Sequence, residues 1–323
     1  MAETVPLIDV AGLRSGDPAA RREVAAALGA ACRGPGFFLV TGHGIPPGVT
    51  GGLFAAARGF FAQDQAAKEA LSIRLSPHNR GYVALDEEQL DPSRPADRKE
   101  AFNVGLDLPP DHPEVLAGAP FRGVNLWPDA PPGFRDAVMA HFDAAWALGR
   151  LLHRGFALDL GLEETFFEDK LDRPLATLRI LRYPAATGAA APLGAGEHTD
   201  YGNVTVLATD GVPGLEVRRR GGGWEEVPHV PGAFVCNIGD CLMRWTNGAY
   251  ASTPHRVRAP AAERYSAAFF LDPNPDAVVE VLPGCTGPGN PARWPPVTGA
   301  AYLRERLDAT YAHRRAEGAR AGG

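Results

Sequence analysis

Two histidines and an aspartate are placed along the 323-residue chain so that they can share one ion. In the string GAGEHTDYG, His198 and Asp200 lie two residues apart. On a β-strand such residues project from one face, so an imidazole and a carboxylate can converge. His255, in STPHRV, follows 55 residues after Asp200 and opens another β-type run. Two neutral imidazoles and one carboxylate on one face of an octahedron leave three positions open for a bidentate co-substrate and O2, the arrangement associated with non-haem Fe(II) oxygenases. An H-x-D string alone is more often a surface histidine beside a solvated aspartate, so its surroundings must decide.

Nine residues beyond His255 comes Arg264-Tyr265-Ser266. Arg264 and Ser266 share a strand face, and a guanidinium with a hydroxyl suits the far end of a dicarboxylate through charge-assisted bonds. The apolar AAFFL that follows makes an unpaired arginine costly to bury, and a bound anion would relieve that cost.

The elements that must hold these groups are short. Between Thr177 and Leu271 the runs TLRILRY, VTVLAT, LEVRR, FVCNIG, HRVRA and YSAAFFL, separated by turn signals, predict an all-β sandwich or barrel. Gly239-Asp240 and Asn247-Gly248 are expected to form hairpin turns, and with Asn237 to keep the His255 strand in register. Trp245 is expected in the wall or core. Ahead of this region VPLIDV reads as a strand over 5–10, Asp17-Pro18 as the start of a helix over 18–32, and GFFLVTGHGIP as a strand over 37–40 leading to a helix over 46–63. Residues 76–135, rich in Pro, Gly and Asp, read as mostly loop. Phe134, Val138, Phe142, Ala145, Leu148, Leu152 and Phe156 then recur at three- and four-residue spacing, which predicts a long amphipathic helix over 132–160 that packs along a sheet. A last helix is expected over 299–316, ahead of a fraying polar tail.

Composition bounds the rest. The chain is 45% hydrophobic and 22% charged with a net charge of −6, ordinary for a globular protein. Its Lys and Arg are scattered, which leaves no basic footprint for nucleic acid or an anionic membrane. The first residues lack a basic and then apolar leader, and no apolar run reaches the ~18 residues of a membrane span, so a cytoplasmic location is expected. Cys32, Cys236, Cys241 and Cys285 lack C-x-x-C spacing and are expected as buried free thiols.

Taken in order, VPLIDV, GFFLVTGHGIP, NRGYVALDEE, LRILRYP, GAGEHTDYG, PGAFVCNIGDCLMRWTNGAYASTPHRV and ERYSAAFFLDPNPDA make nearly the whole chain resemble the isopenicillin N synthase-like branch of the 2-oxoglutarate/Fe(II) oxygenases. The resemblance implies a mainly β fold with flanking helices: a distorted double-stranded β-helix (jelly roll) core backed by a long helix, with an N-terminal α/β segment. In those terms residues 1–120 form the N-terminal segment, 121–175 the backing helices, 176–275 the Fe(II)/2-oxoglutarate core and 276–323 a C-terminal loop and helix. It also implies that His198, Asp200 and His255 are the iron ligands, that Arg264 and Ser266 bind the distal carboxylate of 2-oxoglutarate, and that the Tyr183 hydroxyl supports that carboxylate. Arg179, on the same strand face as Tyr183, is expected either to steady the co-substrate or an acidic substrate, or to serve as a surface ion-pair residue. The activity implied is oxidation of an unactivated C–H bond of a small molecule by hydroxylation, desaturation or ring closure, with release of succinate and CO2. An R-x-S pair also occurs in an isopenicillin N synthase-type oxidase that uses no 2-oxoglutarate. LRILRYP also resembles ethylene-forming relatives, and a non-catalytic binding module is the remaining alternative. His43, between Gly42 and Gly44, is expected to be structural, and His78, His112, His141, His153, His229 and His313 are assigned no chemistry. Asn79-Arg80-Gly81-Tyr82, Phe102 and Asn203 are expected mainly in solvent-exposed loops near the mouth of the site. Neither the substrate nor the oligomeric state is written in a motif.

Overall fold

The computed structural model describes residues 5–88, 96–186 and 193–310. His313 and the end of the helix expected over 299–316 lie outside them. The helices are α1 (Pro18–Arg33), α2 (Pro47–Phe61), α3 (Gln65–Glu69), α4 (Pro113–Leu116), α5 (Phe134–Asp159), α6 (Asp240–Trp245) and α7 (Gly299–Thr310). The strands of the larger sheet are β1 (Leu7–Asp9), β2 (Phe37–Thr41), β3 (Gly81–Val83), β4 (Glu100–Val104), β5 (Thr177–Tyr183), β7 (Val204–Thr209), β10 (Phe234–Ile238) and β12 (Arg264–Leu271). Those of the smaller sheet are β6 (Ala195–His198), β8 (Leu215–Arg218), β9 (Trp224–Glu226) and β11 (His255–Val257), and β13 (Val278–Val279) pairs with β14 (Val297–Thr298).

The local signals act as expected. Asp17 Oδ1 accepts the Ala19 N–H at 2.8 Å with Pro18 opening α1, which satisfies a helix-terminal donor. The apolar stripe of α5, from Phe134 to Phe156, is buried throughout. Alternation along the strands then produces two faces. In β12, Tyr265, Ala267, Phe269 and Leu271 join the core beneath α1, α2 and α5, whereas Arg264, Ser266, Ala268 and Phe270 line a cavity on the other side. In β5 the same parity sends Leu178 and Ile180 to the helices and Thr177, Arg179, Leu181 and Tyr183 to the cavity.

The larger sheet runs β1-β2-β10-β7-β12-β5-β4-β3 and the smaller β6-β11-β8-β9. Between them lies a second apolar core that includes Phe37, Leu181, Leu215, Val217, Val257 and Ala268. Two facing, mostly antiparallel sheets with helices on one outer side make the expected jelly-roll core. Four strands from before residue 105 extend the larger sheet.

Local readings fail around α6. Gly239 and Asp240 do not form a hairpin turn: Gly239 caps α6, and Asn247 and Gly248 (φ 53° and 81°) close its C-terminal end. Asn-Gly suits any place where the backbone needs positive φ, and a helix end needs it as much as a hairpin does. Asn237 lies inside β10 rather than in a turn. Trp245 is core at 1% exposure. The four cysteines are free thiols.

Candidate metal centre and active-site cavity

His198 ends β6 and His255 opens β11, and register pairs them directly across the smaller sheet. Their ring centroids stand 4.3 Å apart. Asp200 follows in the turn after β6, with its Oδ1 3.8 Å from His198 Nε2 and 3.5 Å from His255 Nε2. All three donor atoms fall within 4.8 Å of one another. Neighbouring ligands of an octahedral ion at about 2.1 Å stand about 3 Å apart, so small side-chain rotations suffice to close the set.

Hydrogen bonds decide which atoms face the centre. His198 Nδ1 lies 2.7 Å from Gly196 O and His255 Nδ1 3.2 Å from Thr253 O. A carbonyl only accepts, so each Nδ1 carries the proton and each Nε2 presents a lone pair toward Asp200. Asp200 Oδ2 accepts from Asn237 Nδ2 at 2.7 Å and from the Thr205 hydroxyl, which leaves Oδ1 for a cation. Burial and the neighbouring His255 lower the pKa of His198 to about 3, keeping it neutral. Burial alone would raise the pKa of Asp200, but the two histidines and the Asn237 bond outweigh it and hold the carboxylate well below its usual range. Burial likewise disfavours a charged His255, yet Asp200 outweighs it and raises that pKa. With Asp200 and His255 buried and His198 half-buried, two imidazoles and a carboxylate have the donor chemistry to hold a divalent ion such as Fe(II).

The surrounding loop is braced from three sides. Asp240 N bonds Asp200 O at 2.8 Å, and Asp240 Oδ2 accepts from Thr199 Oγ1 at 3.0 Å and from Arg306 Nη2 of α7 at 2.8 Å. Asn203, fully buried, places Nδ2 3.2 Å from His153 Nε2 on α5. Asn203 is therefore no exposed loop residue, and His153 is a structural partner whose burial lowers its pKa to about 4.

From the centre a cavity of about 180 Å³ extends between the sheets. Arg264, 1% exposed, lies in its wall with Nε 3.2 Å from Val212 O, Nη1 3.2 Å from Ser266 Oγ and Cζ 4.9 Å from the centre of the Tyr183 ring. Among the described residues no carboxylate pairs with it. A buried guanidinium held by neutral groups, beside a hydroxyl and an aromatic ring, is suited to receive an anion. Arg179 differs: it is ion-paired with Glu88, which also faces Lys99 at 3.5 Å.

Other residues of the cavity were hidden in the sequence. Asn237 and Thr205 support Asp200 from β10 and β7, and the one available signal was a polar residue inside the apolar run FVCNIG. Arg80, expected in an exposed loop, is 4% exposed in the cavity wall, while Tyr82 and Phe102 are core residues at 1% and 0%. Here short β3 and β4 continue the large sheet beneath α2, a contact that local periodicity over 76–135 is too weak to announce. Asp272, at the metal end beside Gly202, is buried with Oδ1 unpartnered among the described residues. Burial, and then the Asp200 charge, push its pKa up to about 7.

Comparison with known proteins agrees with this geometry. Residues 5–130 match the non-haem dioxygenase in morphine synthesis N-terminal family, and 175–273 the 2OG-Fe(II) oxygenase superfamily. A 2-oxoglutarate-Fe(II) type oxidoreductase of Emericella nidulans is 35% identical over 96% of this chain and 92% of its own. The crystal structure of a full-length Neurospora crassa protein in complex with alpha-KG and thymine superposes with a TM-score of 0.85 at 30% identity, covering 95% of this chain and 97% of that one. A rice dioxygenase for auxin oxidation superposes with a TM-score of 0.75 at 30% identity, over 94% and 95% of the two chains.

Proposed function

This chain belongs to the 2OG-Fe(II) oxygenase superfamily, and from that premise we propose that His198, Asp200 and His255 hold its iron while Arg264, Ser266 and Tyr183 hold 2-oxoglutarate. The enzyme is a 2-oxoglutarate- and Fe(II)-dependent oxidoreductase acting on a small molecule. Bound iron supplies the oxidising chemistry, in which O2 and 2-oxoglutarate are consumed, succinate and CO2 are released and a substrate C–H bond is oxidised. The outcomes proposed are hydroxylation, desaturation or ring closure.

The observation that carries this reading is one cavity with two complementary preferences, a cation-seeking cluster of His198, Asp200 and His255 and an anion-seeking guanidinium at Arg264. The chain's own residues then have definite tasks. Gly196 O and Thr253 O fix the imidazole tautomers, and Asn237 with Thr205 aims one Asp200 oxygen at the ion. Arg264 and Ser266 anchor the distal carboxylate of the co-substrate, with the Tyr183 ring stacked on the guanidinium. Arg179, neutralised by Glu88, is assigned to shaping the wall beside the co-substrate rather than to holding its charge. Phe37 packs edge-on to His255 at 5.2 Å and helps to exclude water.

A reducing, cytoplasmic setting is supported by four free cysteines and by the need for ferrous iron. Among the described residues no helix is long and apolar enough to cross a membrane. Neither nucleic acid nor a membrane is proposed as a partner. The test is an anaerobic titration with Fe(II) and 2-oxoglutarate. A metal-to-ligand charge-transfer band is expected in the wild type and lost in His255→Ala, and a band that survives that substitution overturns the ligand assignment.

A further inference from the structure

The groups assigned to iron and 2-oxoglutarate leave one wall of the cavity without a role. Arg80 enters that wall from the residue before β3. Its guanidinium lies against the Gly105 backbone so closely that a Cβ at 105 would stand 1.9 Å from Nη2. Among the described residues only neutral acceptors reach it: Phe121 O lies 3.3 Å from Nη2 and Asn79 O 3.5 Å from Nη1, while Nε has no partner there. No described carboxylate pairs with it. The charge that most affects it is Arg122, of the same sign, which is itself paired with Glu114 at 3.0 Å. Burial and then Arg122 lower the Arg80 pKa to about 10, which still leaves it charged at neutral pH.

The neighbouring basic groups are satisfied within the chain: Arg179 and Lys99 have Glu88 and Asp97. Asn103, also on the wall, has an Oδ1 without a partner among the described residues. Register gives the separation from the metal end. Gly81 pairs with Asn103, Asn103 with Arg179, Arg179 with Ala268 and Ala268 with Leu207, two residues from Thr205. Strands about 4.8 Å apart make that row of four steps about 19 Å along the curved sheet. That row passes Asn103 and the ion-paired Arg179, while Phe121, Leu175, Phe270 and Leu307 supply apolar surface to the lining. Asp272 lies at the metal end, so the two ends of the cavity carry opposite preferences.

Resting on the oxygenase reading above, we infer that Arg80 is a substrate-binding residue that receives a carboxylate, and that the prime substrate is an amphipathic organic acid whose apolar body reaches from Arg80 toward the triad. The bound carboxylate pairs the buried guanidinium and accepts from its Nε, and the carbon oxidised is remote from the acid group.

The probes are the ω-phenylalkanoates from phenylacetate to phenylhexanoate and their methyl esters, titrated calorimetrically into metal-free protein and into protein loaded anaerobically with Fe(II) and 2-oxoglutarate. At least one acid is expected to bind at least tenfold more tightly than its ester, and to perturb the charge-transfer band. Arg80→Gln is expected to weaken that acid by about ten- to a hundredfold, the scale of a lost charge-assisted bond, leave the ester unchanged, and preserve the band as a control of folding. Arg80→Lys is expected to restore part of the preference. Acid and ester binding alike, no acid binding at all, or an unchanged acid affinity in Arg80→Gln overturns the inference. A wild-type protein that forms no band refutes the oxygenase reading instead, and the acid–ester comparison on metal-free protein still decides the role of Arg80.

Discussion

Replacing Arg264 by Met should make the protein more stable without 2-oxoglutarate and less stable with it. Removing a guanidinium from water costs several kcal/mol. In the ligand-free protein the return comes from two bonds of 3.2 Å, to Val212 O and Ser266 Oγ, and from the Tyr183 ring at 4.9 Å. Lengths of 3.2 Å to neutral acceptors mark both bonds as weak. No carboxylate among the described residues adds to them. Replacing a buried charged group by packed apolar atoms of similar volume is often neutral or stabilising, so a well-packed methionine should stabilise the ligand-free protein by about 1–2 kcal/mol. The same substitution removes two charge-assisted bonds to the distal carboxylate, about 3–6 kcal/mol or roughly 10²–10⁴ in affinity. At a 2-oxoglutarate concentration about a hundred times the wild-type Kd, the wild type gains about 2.7 kcal/mol and the variant almost nothing. Urea unfolding of both proteins, kept anaerobic with Fe(II) and measured with and without 2-oxoglutarate, should therefore show their stabilities cross. A variant that is less stable without the co-substrate, or equally stabilised by it, would refute the reasoning.

Asn237→Ala removes the 2.7 Å bond to Asp200 Oδ2 and should weaken Fe(II) about 10–100-fold in an anaerobic titration; unchanged affinity would deny Asn237 its supporting role. Gly239→Ala places a Cβ 2.2 Å from Gly202 O, which forces the loop after Asp200 to move; a loss of about 1–3 kcal/mol in urea unfolding and weaker metal binding are expected. His141 is fully buried with both ring nitrogens unpartnered among the described residues, and burial lowers its pKa to about 4. A histidine depressed in the folded state destabilises as pH falls from its unfolded value near 6.5 toward about 4, so this one residue should account for about 3 kcal/mol lost across that window. His141→Leu should flatten the acid limb of stability against pH, and an unaltered slope would sink the assignment.

Much of the site was legible in one dimension because its chemistry is local. The two-residue spacing of Arg264 with Ser266 fixes a shared strand face in β12. That of His198 with Asp200 keeps the two side chains together, although Asp200 lies just past the end of β6 and not on the strand. The period of α5 fixes which side of that helix is buried. The same local rules misplace Asn247-Gly248, since positive φ serves a helix end as well as a hairpin, and they place Arg80 and Asn203 in solvent, since polarity alone does not reveal a buried partner. Tertiary structure decided what depends on pairing between distant segments: that β6 and β11 bring His198 opposite His255, that β10 and β7 lend Asn237 and Thr205 to Asp200, and that Arg179 is neutralised by Glu88 while Arg80 is left charged in the cavity wall. Sequence spacing dictates which way a side chain leaves its own strand. Which strand comes to lie beside it is set by the burial of the whole apolar surface, and the electrostatics of the cavity follow from that choice of neighbours.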